Sequence, residues 1–294
     1  MTSQPLISVI IPNLHSPMLD QTLASVFAQK TEQAFEVIVV GQDKWDLINQ
    51  FPEVYFIETP TPVNASVARN IGIQAAKGEW FLFIDSDCVA DENWMVTFLS
   101  PENRDWSVIG GGVKTADEPY WQLVYNLSMF HAQLASQAKG EKRFLPTLNL
   151  AVHRRVIDTC GGMDEHLTRG QDIDWTVRMS KAGFPLLFEP KATITHFPAR
   201  NDLATLRRYF RGAGYYMIQV RYRYPDIYHM SPLLKNAWLW RLLAGPIAAW
   251  TTLKIFLTSK EVRRHINTFY HMWLLKKSWC FGAADRLEGK VNVQ

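Results

Sequence analysis

The sequence predicts an α/β protein, a mainly parallel sheet with helices on both faces, followed by a basic and apolar helical extension. Three observations carry this reading. Short β-branched runs alternate with amphipathic stretches through the first two thirds of the chain, and the run Trp80–Ile84 is apolar at every position, as a strand covered on both faces must be. The sign of the charge also changes along the chain: residues 1–199 hold 15 Lys/Arg against 23 Asp/Glu, and residues 200–294 hold 16 against 5. Such a split marks two jobs and places two domains, at 1–199 and 200–294. With 294 residues and 47% hydrophobic composition the chain can bury a full core.

The elements follow in order. ISVII (7–11) reads as a first strand, Met18 to Gln29 as a helix, FEVIVV (35–40) as a second strand, Asp43 to Asn49 as a short helix and VYFIE (54–58) as a third strand. In NASVARNIGIQAAKGEW, Asn64 caps a helix and Gly78 ends it. The buried strand Trp80–Ile84 comes next and stops abruptly at Asp85, Ser86 and Asp87. Open α/β sheets bind ligands beyond the carboxyl ends of their strands, and residues 85 and 87 point the same way if the chain stays extended. Two carboxylates there are either solvated turn residues or ligands of a hard divalent cation, Mg²⁺ or Mn²⁺, that also takes substrate phosphates. In GQDIDWTVRMSKAG (170–183), Asp172 and Asp174 open an amphipathic helix about 200° apart around its axis. Asp174 stands four residues before Arg178, a helical ion-pair spacing, which leaves Asp172 the freer carboxylate.

In their order and spacing, ISVIIPN, FEVIVV, ARNIGIQAAKGEW, FIDSDC, LNLAVHRRVIDTCGGMDEHL (148–167) and GQDIDWTVRMSKAG resemble the inverting glycosyltransferases of family 2, from about Ile7 to His196. The resemblance implies the GT-A fold, a Rossmann-like nucleotide-diphospho-sugar transferase fold. It implies that Asp85, Ser86 and Asp87 form the D-x-D motif, which holds a cation bridging the donor's two phosphates, with Asp85 also near the ribose. Arg69 would contact a phosphate, His196 would approach the metal, and Asp172 would be the general base. Pro12, Asn13 and Gln42 fall at the donor positions, and Trp94, Asn149 and the GGMDE turn at the acceptor side. Plainer readings stand beside these: an exposed helix arginine, a structural histidine, a first-turn aspartate favoured by the helix dipole, and core packing. The chain departs from the family at three places. Gln171 replaces a usual Glu, so that Asp172 lacks a negative neighbour and is expected to titrate lower. Leu14 and His15 replace an aromatic pattern after the first strand, and Gln42 replaces an Asp that commonly contacts uracil.

Beyond His196 the chain clusters Arg207, Arg208 and Arg211 and then runs through two apolar stretches, 236–257 and 266–282. The first approaches the ~20 residues that span a bilayer, but Arg241 and Lys254 interrupt it and Gly245-Pro246 breaks it. Shallow insertion at an anionic membrane surface is expected in preference to crossing; packing on the sheet domain or on a second copy, as a homodimer, is the other reading. No helix-turn-helix, zinc finger or RNP motif points to nucleic acid. Cys88, Cys160 and Cys280 fit neither a disulfide framework nor a CxxC site, and MTSQPLISVIIPN lacks a basic n-region; both suggest the cytoplasm. The expectation is a metal-dependent inverting transferase moving a sugar from a nucleotide-sugar donor to a lipid-linked or polysaccharide acceptor in cell-surface glycan synthesis, at the inner membrane face. Gln171 and Gln42 keep open a catalytically degenerate binding subunit. A nucleotidyltransferase would need a Gly-rich loop that PNLHSP lacks, and a glycosidase would have no use for a metal–diphosphate site.

Overall fold

The structure, a computed structural model, describes residues 5–115, 119–228 and 230–290. The first four residues of the stretch read for an export signal lie outside these. The chain divides into two compact units: the first comprises 1–114, 137–166 and 171–197, the second 115–136, 167–170 and 198–294. The boundary expected at residue 199 thus leaves out two earlier stretches that pack with the helical part.

The first unit is built on one sheet of β1 (Ile7–Leu14), β2 (Phe35–Gln42), β3 (Val54–Glu58), β4 (Trp80–Ile84), β5 (Cys88–Ala90), β6 (Val108–Lys114), β7 (Gly140–Lys142), β8 (Asn149–His153) and β9 (Leu186–His196). The strand order is β3-β2-β1-β4-β8-β6-β9-β5, with β7 on β9. Strands β1 to β4 are parallel to one another, while β8 runs antiparallel to both β4 and β6. The sheet is therefore parallel in its first half and mixed beyond it. Alternation along the strands puts Ile10, Ile38, Val40, Phe81 and Phe83 in one apolar cluster. There they meet Ala68 of α2 (Ala65–Ala75), Val156 of α5 (Arg154–Cys160) and Trp175 of α6 (Gln171–Lys181). The other alternate set, Ile7, Val9, Ile11, Val37 and Val39, is buried as fully, which is why these strands carry no polar face. Helix α1 (Leu19–Phe27) packs on β5 and α3 (Trp94–Phe98) on β9.

Local details depart from the sequence reading for physical reasons. The stretch after β2 forms only a 3-10 turn over Leu47–Gln50. Asn64 does cap α2, accepting from the Val67 amide at 2.9 Å, but the helix ends at Ala75 and Gly78 serves another purpose. A Cβ there would lie 2.7 Å from the Ser8 amide nitrogen, so glycine is what lets the two segments meet.

The second unit is helical. It contains α4 (Tyr120–Phe130), α7 (Leu203–Arg223), α8 (Pro225–Tyr228), α9 (Ala237–Leu242), α10 (Ala244–Thr258), α11 (Lys260–Arg264) and α12 (Phe269–Leu287). Helix α12 is its axis and packs on α4, α7, α9 and α10. The core joins Leu123, Leu127, Phe210, Trp240, Phe256 and Trp279. Pro246 falls in the first turn of α10, where its missing amide costs little. Among the described residues no helix is long and apolar enough to cross a membrane.

Candidate functional site

The carboxyl ends of β1, β2 and β4 gather most of the residues singled out above. The chain does not stay extended after β4: the Cys88 amide donates to the Asp85 carbonyl at 3.1 Å, closing a tight turn over 85–88. The two carboxylates consequently find different partners. Asp85 is paired with Arg69, whose side chain is only 4% exposed. Asp87 lies 3.6 Å from Nε2 of His196, which ends β9 opposite Cys88. The expected metal set of Asp85, Asp87 and His196 is thus divided, with Asp85 turned to the guanidinium.

Arg69 is not the open phosphate fork expected from the sequence. One arm is spent on Asp85, and Nε is sealed from solvent with no acceptor among the described residues. Its neighbour Asn70 locks the GGMDE turn: Nδ2 donates to the Met163 carbonyl at 3.0 Å and to Glu165 at 2.7 Å, and Oδ1 accepts from the Met163 amide at 2.9 Å. This role had no signal in the sequence beyond the A-R-N motif itself.

Ligand atoms of Asp87, Cys88 and His196 lie within 4.8 Å of one another. Cys88 is fully buried, and desolvation together with the charges of Asp87 and Asp85 holds its thiol well above the usual range, so it stays protonated. The remaining carboxylate oxygen and imidazole nitrogen fit a divalent cation such as Mn²⁺ that completes its shell with substrate oxygens.

Asp172 sits in the first turn of α6, half-buried, with Oδ1 accepting from the Ile173 amide at 2.8 Å. Burial raises its carboxyl above the ordinary value; the Ile173 amide and Arg69 pull the other way, and Asp85 adds to the rise. Gln171 leaves Asp172 without a negative neighbour at that position, yet desolvation places its carboxyl above rather than below the ordinary value. Asp174 is fully buried on the opposite side of the helix and bonds Arg178 Nε at 3.1 Å. Arg178 in turn donates to the carbonyls of Cys160 and Gly162.

On the donor side, Asn13 Nδ2 donates to the Gln42 carbonyl at 2.9 Å and its Oδ1 accepts from the Ser16 amide. Ser16 Oγ donates to the Ser86 carbonyl at 2.7 Å, which ties the loop after β1 to the turn. Gln42 Nε2 donates to the Thr59 carbonyl at 3.1 Å, leaving the amide oxygen as its distinct acceptor; Pro12, half-buried in β1, lies level with Val40 of β2. Trp94 and Asn149 do not join this rim. Both are buried, the indole donating to Asn149 Oδ1 at 2.7 Å while Nδ2 serves the carbonyls of Gly112 and Ala192. Their assignment to the acceptor side is corrected to interior packing, since a fully hydrogen-bonded buried amide has no donor left for a ligand.

Comparison with known proteins is consistent with this geometry. The family model "Glycosyl transferase family 2" matches residues 8–161. "Glycosyltransferase AglE" of Haloferax volcanii is 28% identical over 229 residues, covering 74% of each chain. A "pre-mycofactocin glycosyltransferase" of Mycobacterium tuberculosis is 24% identical over 71% of this chain, which spans only 44% of that protein. Among solved structures, the mannosyltransferase PcManGT of Pyrobaculum calidifontis, in complex with GDP-Man and Mn²⁺, shares the fold with a TM-score of 0.61 at 16% identity, over 99% of this chain and 89% of that one.

Proposed function

The chain belongs to glycosyltransferase family 2 and is a glycosyltransferase, and on that premise we propose that it moves one sugar from a nucleotide-sugar donor to a lipid-linked or polysaccharide acceptor by a metal-dependent single displacement that inverts the anomeric centre. The observation that carries the proposal is the approach of Asp87 to His196 at the strand ends, two residues from an Asp85 whose charge acts on Asp172. In this reading Asp87 and His196 hold a divalent cation, which when bound offsets the charge of the departing nucleoside diphosphate. Asp85, fixed by Arg69, faces the ribose. Pro12, Asn13, Gln42 and Ser86 bound the donor, and the Gln42 amide oxygen selects a base by accepting a hydrogen bond. Asp172 takes the proton of the acceptor hydroxyl as its oxygen attacks the anomeric carbon; the bond from that carbon to the phosphate oxygen breaks, and the nucleoside diphosphate leaves. A carboxyl raised by burial is a stronger base than an ordinary one, which favours catalysis over a degenerate binding role.

Calorimetry with nucleoside diphosphates tests the metal assignment. Affinity should fall strongly on chelation and on Asp87→Ala, and unchanged affinity in EDTA would sink it.

We place the reaction at a membrane surface on the cytoplasmic side. Trp250, Leu253 and Leu257 recur at helical spacing on the outer side of α10 and are 66%, 42% and 62% exposed, and Trp238 and Leu242 do the same on α9. Lys254, Lys260, Arg263 and Arg264 are exposed among them. Aromatic, aliphatic and cationic side chains together suit an anionic bilayer interface.

A further inference from the structure

The helical unit half-buries two cations that meet no carboxylate among the described residues. Lys276 of α12 donates to the Ser128 carbonyl of α4 at 2.8 Å and lies 5.9 Å from the Phe210 ring. Arg221 of α7 lies 4.1 Å over the Trp279 ring and 5.2 Å from that of Tyr228. Among the described residues its Nε, sealed from solvent, has no acceptor, and the buried Ser128 Oγ likewise has no partner. Of the described carboxylates nearby in sequence, Asp285 and Glu288 pair with Arg211, Arg241 and Lys290, Glu261 accepts from Thr115 and Ser136, and Asp226, which has an interaction of its own, does not act on Arg221. Burial, with the charge of Arg221 second, pulls the Lys276 ammonium down to about 8, and among the described residues the one other group acting on it is Cys280, whose thiol burial keeps neutral. Two like charges partly withdrawn from water near one another are costly unless an anion joins them.

We infer that Arg221, Lys276 and Ser128 form an anion site of the helical unit that takes a phosphate monoester group, free or carried on a lipid. A guanidinium nitrogen, an ammonium and a hydroxyl offer donors of the kinds that bind the oxygens of a tetrahedral oxyanion, and the aromatic rings of Trp279 and Tyr228 flank the charge. The inference holds whether or not the sheet-end site transfers a sugar, because none of its residues belongs to that site.

Titration calorimetry on the full chain tests it, in EDTA so that metal-assisted binding at the sheet end does not contribute. The probes are inorganic phosphate and dihexanoyl phosphatidate below its micelle concentration, with acetate as control. Saturable one-to-one binding of either phosphate probe is expected. Binding of both assigns the site to the phosphate group alone, and binding of phosphatidate only assigns it to a lipid ester. Lys276→Met and Arg221→Met should each weaken binding at least ten-fold, and they should fold, since Met keeps the apolar stem and removes an unmet charge. Ser128→Ala, which changes one small side chain, should weaken it a few-fold at unchanged thermal midpoint; Asp87→Ala should bind as the wild type does. Absence of binding by either phosphate probe, equal binding of acetate, or affinity unchanged in Lys276→Met and Ser128→Ala would each overturn the site.

Discussion

Asp172 concentrates the catalytic and the energetic arguments at the scale of one residue. Desolvation raises its carboxyl above the ordinary value of 3.8, so between that value and its raised one the folded chain binds a proton that the unfolded chain has released. Stability therefore falls as pH rises through that window, and at neutral pH the charged carboxylate is a strained group. Asp172→Asn should lower turnover by ~10² to 10⁴ while leaving donor affinity nearly unchanged and raising the thermal midpoint at pH 7. Equal midpoints and full turnover in the variant would remove Asp172 from the mechanism. The acid limb of the pH–rate profile should lie above the usual carboxylate range. Asp174 behaves oppositely. It is fully buried with Arg178 as partner, so Asp174→Asn is expected to lose about 1–3 kcal/mol in denaturant unfolding, more than an exposed helical pair is worth, through stability rather than chemistry.

At the scale of elements, the contact of α7 with α12 depends on two glycines. A Cβ on Gly214 would fall 1.9 Å from the Trp279 carbonyl oxygen, and one on Gly282 would fall 1.8 Å from that of Arg211. The backbones touch directly, and no side chain can move aside to make room. Gly282→Ala should therefore destabilise by at least about 1–3 kcal/mol, read as a lowered thermal midpoint, and an unchanged midpoint would mean that the helices separate freely. Arg241, which looks like an interruption of an apolar stretch, belongs to this packing: it bonds Glu288 at 2.7 Å and Asp285 at 2.8 Å, tying α9 to α12. The strands were legible because β1 to β4 are built on short apolar runs, unbroken in β4; Gly214 and Gly282 were not, because nothing local to a helix reports what lies against it.

At the scale of the whole molecule, the two compact units do not follow the chain. Reading the division at residue 199 makes truncation near residue 230 look harmless. Helices α4 and α7 would remain in such a fragment without α9 to α12, leaving Leu123, Leu127 and Phe210 uncovered. Truncation after residue 230 is therefore expected to give aggregated protein in size-exclusion chromatography, and a monodisperse fragment would show that α4 and α7 need no cover from α9 to α12. The full chain should bind anionic liposomes at low salt and release from them as salt rises, and Trp250→Ser with Leu257→Ser should weaken that binding without lowering the thermal midpoint. Indifference to such liposomes would return α9 and α10 to a packing role.

By itself the sequence determined the strands of the first half, the cap at Asn64, the pairing of Asp174 with Arg178 and the family, because each rests on local pattern or on motifs in fixed order. Tertiary structure decided which carboxylate meets which partner. The turn at 85–88 sends Asp85 to Arg69 and Asp87 to His196, residues 16 and 109 positions away along the chain, and burial rather than any neighbour sets the charge of Asp172. Only folding brings distant side chains to within a few ångströms, and only there are their solvation and charge fixed.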